Sequence, residues 1–275
     1  MPNLIPLEDP EDQAALIRAI QLLERRSFAI RIAEYTGQPI NKVLGRMPKI
    51  VTHRVNAAVH TAMTRCLNLA VRSLDPDATG PALRTLPKLM TGVTGGLGGL
   101  FGFISLPIEL PLTTTLMLTS IADIARSEGE DLSNLAARLS CLEVFALGGR
   151  GPHPGPQLGY FASRAFLAKL MSDTASYLVQ RQAAEASAPA IARMLAEIVT
   201  RFGIIVSEKA AASAVPVLGA LGGATINMIF IDHFQKVATG HFAVRRLERK
   251  YGAARVHQGY QSSLPTTPGL RSLTI

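Results

Sequence analysis

The sequence predicts an all-α chain, a single domain of roughly eight helices. Apolar residues recur at helical spacing through most of the 275 residues, and no segment shows the period-two alternation of a half-buried strand. Two long stretches carry no charge and are rich in glycine: residues 89–108, between Lys88 and Glu109, and residues 210–231, between Lys209 and Asp232. They are expected to be central helical segments packed against each other. Each is about 20 residues, long enough for a helix to cross a bilayer, so they suit either a helical core or a membrane.

The elements follow in order. Leu16, Ile17, Ile20, Leu23, Ile30 and Ile32 mark an amphipathic helix over about residues 11–35. Asp9-Pro10 caps it and Gly37 ends it. A second helix spans residues 40–74, with Pro48 as a break and Val51, Val55, Val59, Met63 and Cys66 on one side. Pro107 and Pro111 bracket Glu109, and a helix is expected from 112 to 126. Asp131 reads as the N-cap of the next, which stops at Gly148-Gly149. The glycines and prolines of residues 149–159 demand a loop. Alanine-rich helices are expected at 160–185 and 189–208, then a long basic helix to Tyr251-Gly252. Residues 1–255 make one domain, and the polar, proline-bearing residues 256–275 are expected to be a disordered tail.

Composition narrows the function. Charged residues are 17% of the chain, below the usual quarter, and the deficit is concentrated in the two uncharged stretches. With no tryptophan and 5% aromatics, the chain lacks both an aromatic belt for a membrane and a platform for stacking bases. Nucleic acid is therefore disfavoured. A net charge of +8 points to an anionic partner. The N-terminus is acidic (Glu8, Asp9, Glu11, Asp12), whereas Arg245, Arg246, Arg249 and Lys250 form a basic helix end, expected to be a surface for anions or membranes. Cys66 and Cys141 lack C-x-x-C partners and are expected to be buried, reduced thiols. No basic n-region with an apolar h-region opens the sequence, so the expected location is the cytoplasm, at the inner face of the membrane.

Motifs exclude more than they assign. Gly92/Gly96, Gly95/Gly99, Gly98/Gly102 and Gly219/Gly223 are small residues at four-residue spacing, a pattern that lets helix backbones approach closely. A G-x-G begins at Gly96, but Phe101 occupies the sixth position, and no G-K-[ST] follows, so neither nucleotide fingerprint is met. H-E-x-x-H, G-x-S-x-G and S-x-x-K are all absent. No cofactor can be named. Glu109 stands alone among uncharged residues and needs a partner or a helix N-terminus if buried. Glu109, Glu143, Asp232 and His233 could converge as a carboxylate-rich metal site, and a metal-assisted hydrolase centred on Glu109, Asp232 and His233 is the alternative to a binding protein.

Three phrases carry a resemblance: LPIELPLTTTLMLTSIADIARSEGEDL (106–132), CLEVFALGG (141–149) and PVLGALGGATINMIFIDHFQKVATGHFAVRRLERKYG (216–252). They resemble the EcsC protein family of bacteria, over most of residues 50–252. The resemblance implies a helical domain, cytoplasmic or membrane-associated, with Glu109, Glu143, Asn227, Asp232 and His241 inside its recognisable phrases. It implies no reaction. The resulting expectation is a non-enzymatic helical protein that binds lipid or another hydrophobic ligand. Its expected partners are an anionic membrane surface and a membrane transport complex, and its ligand residues would be Glu109, Glu143, Asn227, Asp232, His233 and His241.

Overall fold

The computed structural model describes residues 7–24, 28–37, 44–45, 47–72, 106–149, 160–180, 189–213 and 219–264. Among them are nine helices and no strand: α1 (Pro10–Leu23), α2 (Phe28–Thr36), α3 (Lys49–Arg72), α4 (Leu106–Ser127), α5 (Leu135–Gly148), α6 (Tyr160–Gln180), α7 (Pro189–Ser213), α8 (Gly219–Tyr251) and α9 (Ala253–Ser263). The all-α expectation holds. Residues 89–105, with their closely spaced glycines, lie outside the described residues, as do residues 214–218.

Local chemistry sets the helix ends. Asp9 accepts a hydrogen bond from Glu11 N at 2.9 Å, and Pro10 occupies the first position of α1. The single helix expected over 11–35 is two helices, α1 and α2, with separate cores. α4 begins earlier than expected and runs through Pro111. That proline lies near the N-terminus, where its missing N–H costs only the bond to Pro107, and Thr115 Oγ1 donates to the Pro111 carbonyl at 2.8 Å. At the other end of α4, Gly129 has a φ of 79°. Glu130 N donates to Ala125 O and Gly129 N to Arg126 O, both at 2.9 Å. This is a Schellman turn, and it carries Glu128 and Glu130 back toward α8. Asp131 caps the turn rather than the helix, accepting from Ser133 N at 2.9 Å. The N-cap of α5 is Asn134, which accepts from Ala136 N at 2.8 Å.

α8, 33 residues long, is the axis of the fold. It packs against α1, α2, α4, α5, α7 and α9. The larger core contains an aromatic knot of Phe145, Phe202, Phe230 and Phe234, whose centroids lie 5.1 to 6.0 Å apart. A second core joins α1, the start of α6, the end of α8 and α9 through Leu16, Ile20, Tyr160, Val244, Leu247, Val256 and Tyr260. The expected disorder from residue 256 is therefore corrected up to residue 264. Val256 and Tyr260, one helical turn apart, are buried and give α9 an apolar face.

Gly148-Gly149 ends α5 for a reason other than a left-handed cap, since Gly149 has a φ of −88°. A Cβ on Gly148 would collide with the Phe234 ring, and one on Gly149 with the backbone carbonyl of Arg201. Glycine is required by close approach. Gly149→Ala is expected to destabilise the chain by about 2 kcal/mol in urea unfolding, because the obstructing atom is backbone and cannot step aside.

Candidate functional site

The first constellation is built around Lys209. Glu109 lies in the first turn of α4, where the helix dipole favours a carboxylate, and Lys209 lies on α7, before its last turn. Lys209 Nζ donates to Glu109 Oε1 at 2.8 Å and to Asn227 Oδ1, from α8, at 2.9 Å. It sits 4.7 Å from the centroid of the Phe230 ring. The pair is shielded: the Lys209 side chain is 4% exposed and that of Glu109 12%. Glu109 and Asn227 are thus brought together, by a lysine that sequence analysis treated only as a boundary marker.

Asp232 and His233 are engaged elsewhere. Asp232 Oδ2 accepts from Arg31 Nη2 at 2.6 Å and from Lys236 Nζ at 2.7 Å. Partial burial works against its charge, but Lys236 and Arg31 outweigh this and hold the carboxyl below its usual range. His233 Nε2–H donates to the Gly148 carbonyl at 3.0 Å, satisfying one of the last carbonyls of α5. Its ring packs edge-on against Phe28 and Phe234. Glu109, Asp232 and His233 therefore answer to three different sets of partners rather than sharing one centre. Among the described residues, no three His, Cys, Asp or Glu side chains gather as a metal site.

The third constellation lies deeper. Glu143 on α5 and His241 on α8 are 2% and 0% exposed. His241 Nε2 is 3.9 Å from Glu143 Oε2, and the other ring nitrogen, Nδ1, lies 2.9 Å from the Tyr160 hydroxyl. Glu143 Oε1 and His241 Nε2 make no hydrogen bond. Burial pushes the Glu143 carboxyl up to about 7, against the pull of the Arg164 and Arg245 charges. Burial, then the same two arginines, holds His241 well below the usual imidazole range. Burial thus favours the neutral form of both groups, the protonated acid of Glu143 and the uncharged imidazole of His241. Arg164 is itself held by two bonds to Glu248, at 2.7 and 2.6 Å.

The basic end of α8 is a fourth constellation. Arg245 binds Glu130 through two bonds, at 2.8 and 2.9 Å, and Arg249 pairs with the same carboxylate. Arg246 donates to Asp12 at 2.7 Å and to Glu128 at 2.9 Å. Lys250 donates to Asp12 at 2.6 Å and Arg255 to Glu8 at 2.9 Å. Asp12 is 5% exposed, and Lys250 and Arg246 hold its carboxyl far below the usual range despite burial. Arg245, Arg246, Arg249 and Lys250 were expected to face an anionic partner, yet each already holds an acid of this chain. With Arg255, five cations meet Glu8, Asp9, Asp12, Glu128 and Glu130, so the patch is formally neutral.

The geometry sits inside a match that decides the lineage: the model of the EcsC protein family covers residues 17–247. The chain belongs to the EcsC protein family. No curated protein and no solved structure matches it. In this EcsC domain both thiols are buried and free, with burial pushing each up to about 12. Sequence analysis missed Lys209, Tyr160, Arg164, Glu130 and Asp12 as partners. Only Lys209 left a signal, as the last charge before an uncharged stretch.

Two predictions follow from burial. Lys209→Met is expected to cost about 3 kcal/mol in urea unfolding, because it strips the nearest cation from a shielded carboxylate, and adding Glu109→Leu should recover part of that loss. For Glu143, a folded pKa of about 7 against the ordinary 4.5 means the native state holds an extra proton between those values. Stability from this group is therefore lost as pH rises from about 4.5 to 7. His241, depressed below 6.5, acts oppositely and erodes stability as pH falls below that value. Glu143→Gln should accordingly shrink the fall in melting temperature between mildly acidic and mildly alkaline buffer. It should not abolish it, because burial also raises Glu208 to about 7.

Proposed function

We propose that this chain is a non-enzymatic helical protein working at the inner face of a membrane. It attaches peripherally to an anionic bilayer and engages lipid, or a lipid-like apolar ligand, through the first of its uncharged glycine-rich stretches. In that role it serves transport or another membrane process as an accessory.

The observation that carries this reading is the Glu109–Lys209 pair. Glu109 is the first charge after residues 89–108, and Lys209 is the last before residues 210–231. Their 2.8 Å contact gives the two uncharged stretches a common origin in the fold. A shielded ion pair at that point suits a body that stays folded while the first stretch meets a hydrophobic partner. Peripheral attachment is favoured over spanning because, among the described residues, no helix is long and apolar enough to cross a membrane. The hydrolase reading draws less support, since Glu109, Asp232 and His233 each serve a structural contact.

The test is flotation of the whole chain with phosphatidylcholine vesicles, with and without phosphatidylglycerol, across a salt series. Binding should require the anionic lipid and weaken as salt screens the charges. A salt-resistant remainder should fall on Leu100→Asp, which puts a charge into the first uncharged stretch. A chain that ignores both vesicle types would overturn the reading.

A further inference from the structure

We propose that the solvent face of α3 is the surface through which the domain docks on anionic phospholipid. This rests on the membrane reading above and names its contact surface.

α3 is 24 residues long and contains no aspartate or glutamate, yet carries Lys49, Arg54, Arg65 and Arg72 along with His53 and His60. Its apolar stripe, Val51, Val55, Ala58, Val59, Ala62, Met63, Cys66, Leu67 and Ala70, is buried against α4, α5 and α7. The three- and four-residue spacing of that stripe turns Ile50, Arg54, Thr61, Arg65 and Asn68 outward together, and all five are exposed. From Ile50 to Asn68 the face runs about 27 Å at 1.5 Å per residue.

Three observations choose the occupant. Among the described residues, neither Arg54 nor Arg65 takes part in an ion pair, whereas the α8 cluster is balanced internally. Charge left without a countercharge is where an anionic surface gains most. The arginines are also sparse: Arg54 and Arg65 are about 16 Å apart along the axis, with Ala57 and Thr61 between them. Lipid headgroups diffuse laterally and can gather under sparse cations, whereas the phosphates of a duplex are fixed and closely spaced and reward a denser array. Finally, Ile50, 65% exposed, stands at one end of the face as an apolar side chain able to enter the headgroup layer.

Binding should be reversible, each arginine contributing a factor of about 5. The experiment measures binding of the full chain to phosphatidylcholine–phosphatidylglycerol vesicles at low salt. Arg54→Gln with Arg65→Gln should weaken it about 25-fold. A control with the same charge change on other exposed helix faces, Arg18→Gln with Lys169→Gln, should leave it within a factor of about 3. Ala57→Glu, an acid in the middle of the face, should mimic the double variant, and unchanged circular dichroism excludes unfolding. Equal losses in the α3 and control variants would overturn this proposal while leaving the membrane reading standing. A wild-type chain that binds neither vesicle type would remove both. Tighter binding to duplex DNA at the same salt, lost with the same arginines, would overturn the proposal in favour of nucleic acid.

Discussion

A helix packed on many sides cannot keep an unpaired charge, and α8 is such a helix with polar groups along most of its length. Removing a carboxylate or ammonium from water costs several kcal/mol unless a partner is in place. Six of the helices around α8 therefore bring a partner. α7 supplies Lys209 to Asn227, with Glu109 of α4 accepting from the same ammonium, α2 supplies Arg31 to Asp232, and α5 gives the Gly148 carbonyl to His233. α6 supplies Tyr160 to His241 and Arg164 to Glu248, and α1 supplies Asp12 to Arg246 and Lys250. Hydrophobic burial drives the collapse. These pairings select one arrangement of helices, because a helix docked in the wrong place would strand the charge it is meant to meet.

The same pairings change how the polar residues are understood. Residues that stand out in sequence, Glu109, Asp232, His233 and the cations near residue 250, stand out because they are charges within apolar text. In the fold that is the property of a structural anchor. The Glu143–His241 pair differs, since one oxygen and one nitrogen in it remain without a hydrogen bond in the interior. It lies where α5 faces α8, and the opposite pKa shifts of its two groups make stability depend on pH. Among the described residues, Arg54 and Arg65 of α3 are exposed cations without such a partner, which is why the proposed membrane contact is placed on that helix.

Local sequence was a good guide where local physics decides. The 3.6-residue period located the helices, and Asp9-Pro10 and Gly252 marked true ends. It failed where a distant contact decides. Residues 11–35 have one continuous period, but Ile20 and Phe28 belong to different cores. Val256 and Tyr260 look sparse in a polar tail until Tyr160 and Leu16 are set beside them. Gly148-Gly149 looked like a helix stop, whereas the requirement comes from Phe234 and Arg201, more than fifty residues away in the chain.

By itself the sequence determined the helical class, the kinship, the two uncharged stretches and the excess of positive charge, because period, composition and family phrases are properties of one strand of text. Tertiary structure alone decided which charges cancel. The acidic N-terminus and the basic end of α8 are some 230 residues apart in the chain, yet Asp12 and Arg246 meet at 2.7 Å. Coulomb attraction depends on distance in space and on the water excluded between the groups. Neither quantity can be read from the order of residues, so only the fold shows the basic end of α8 paired with the acidic N-terminus.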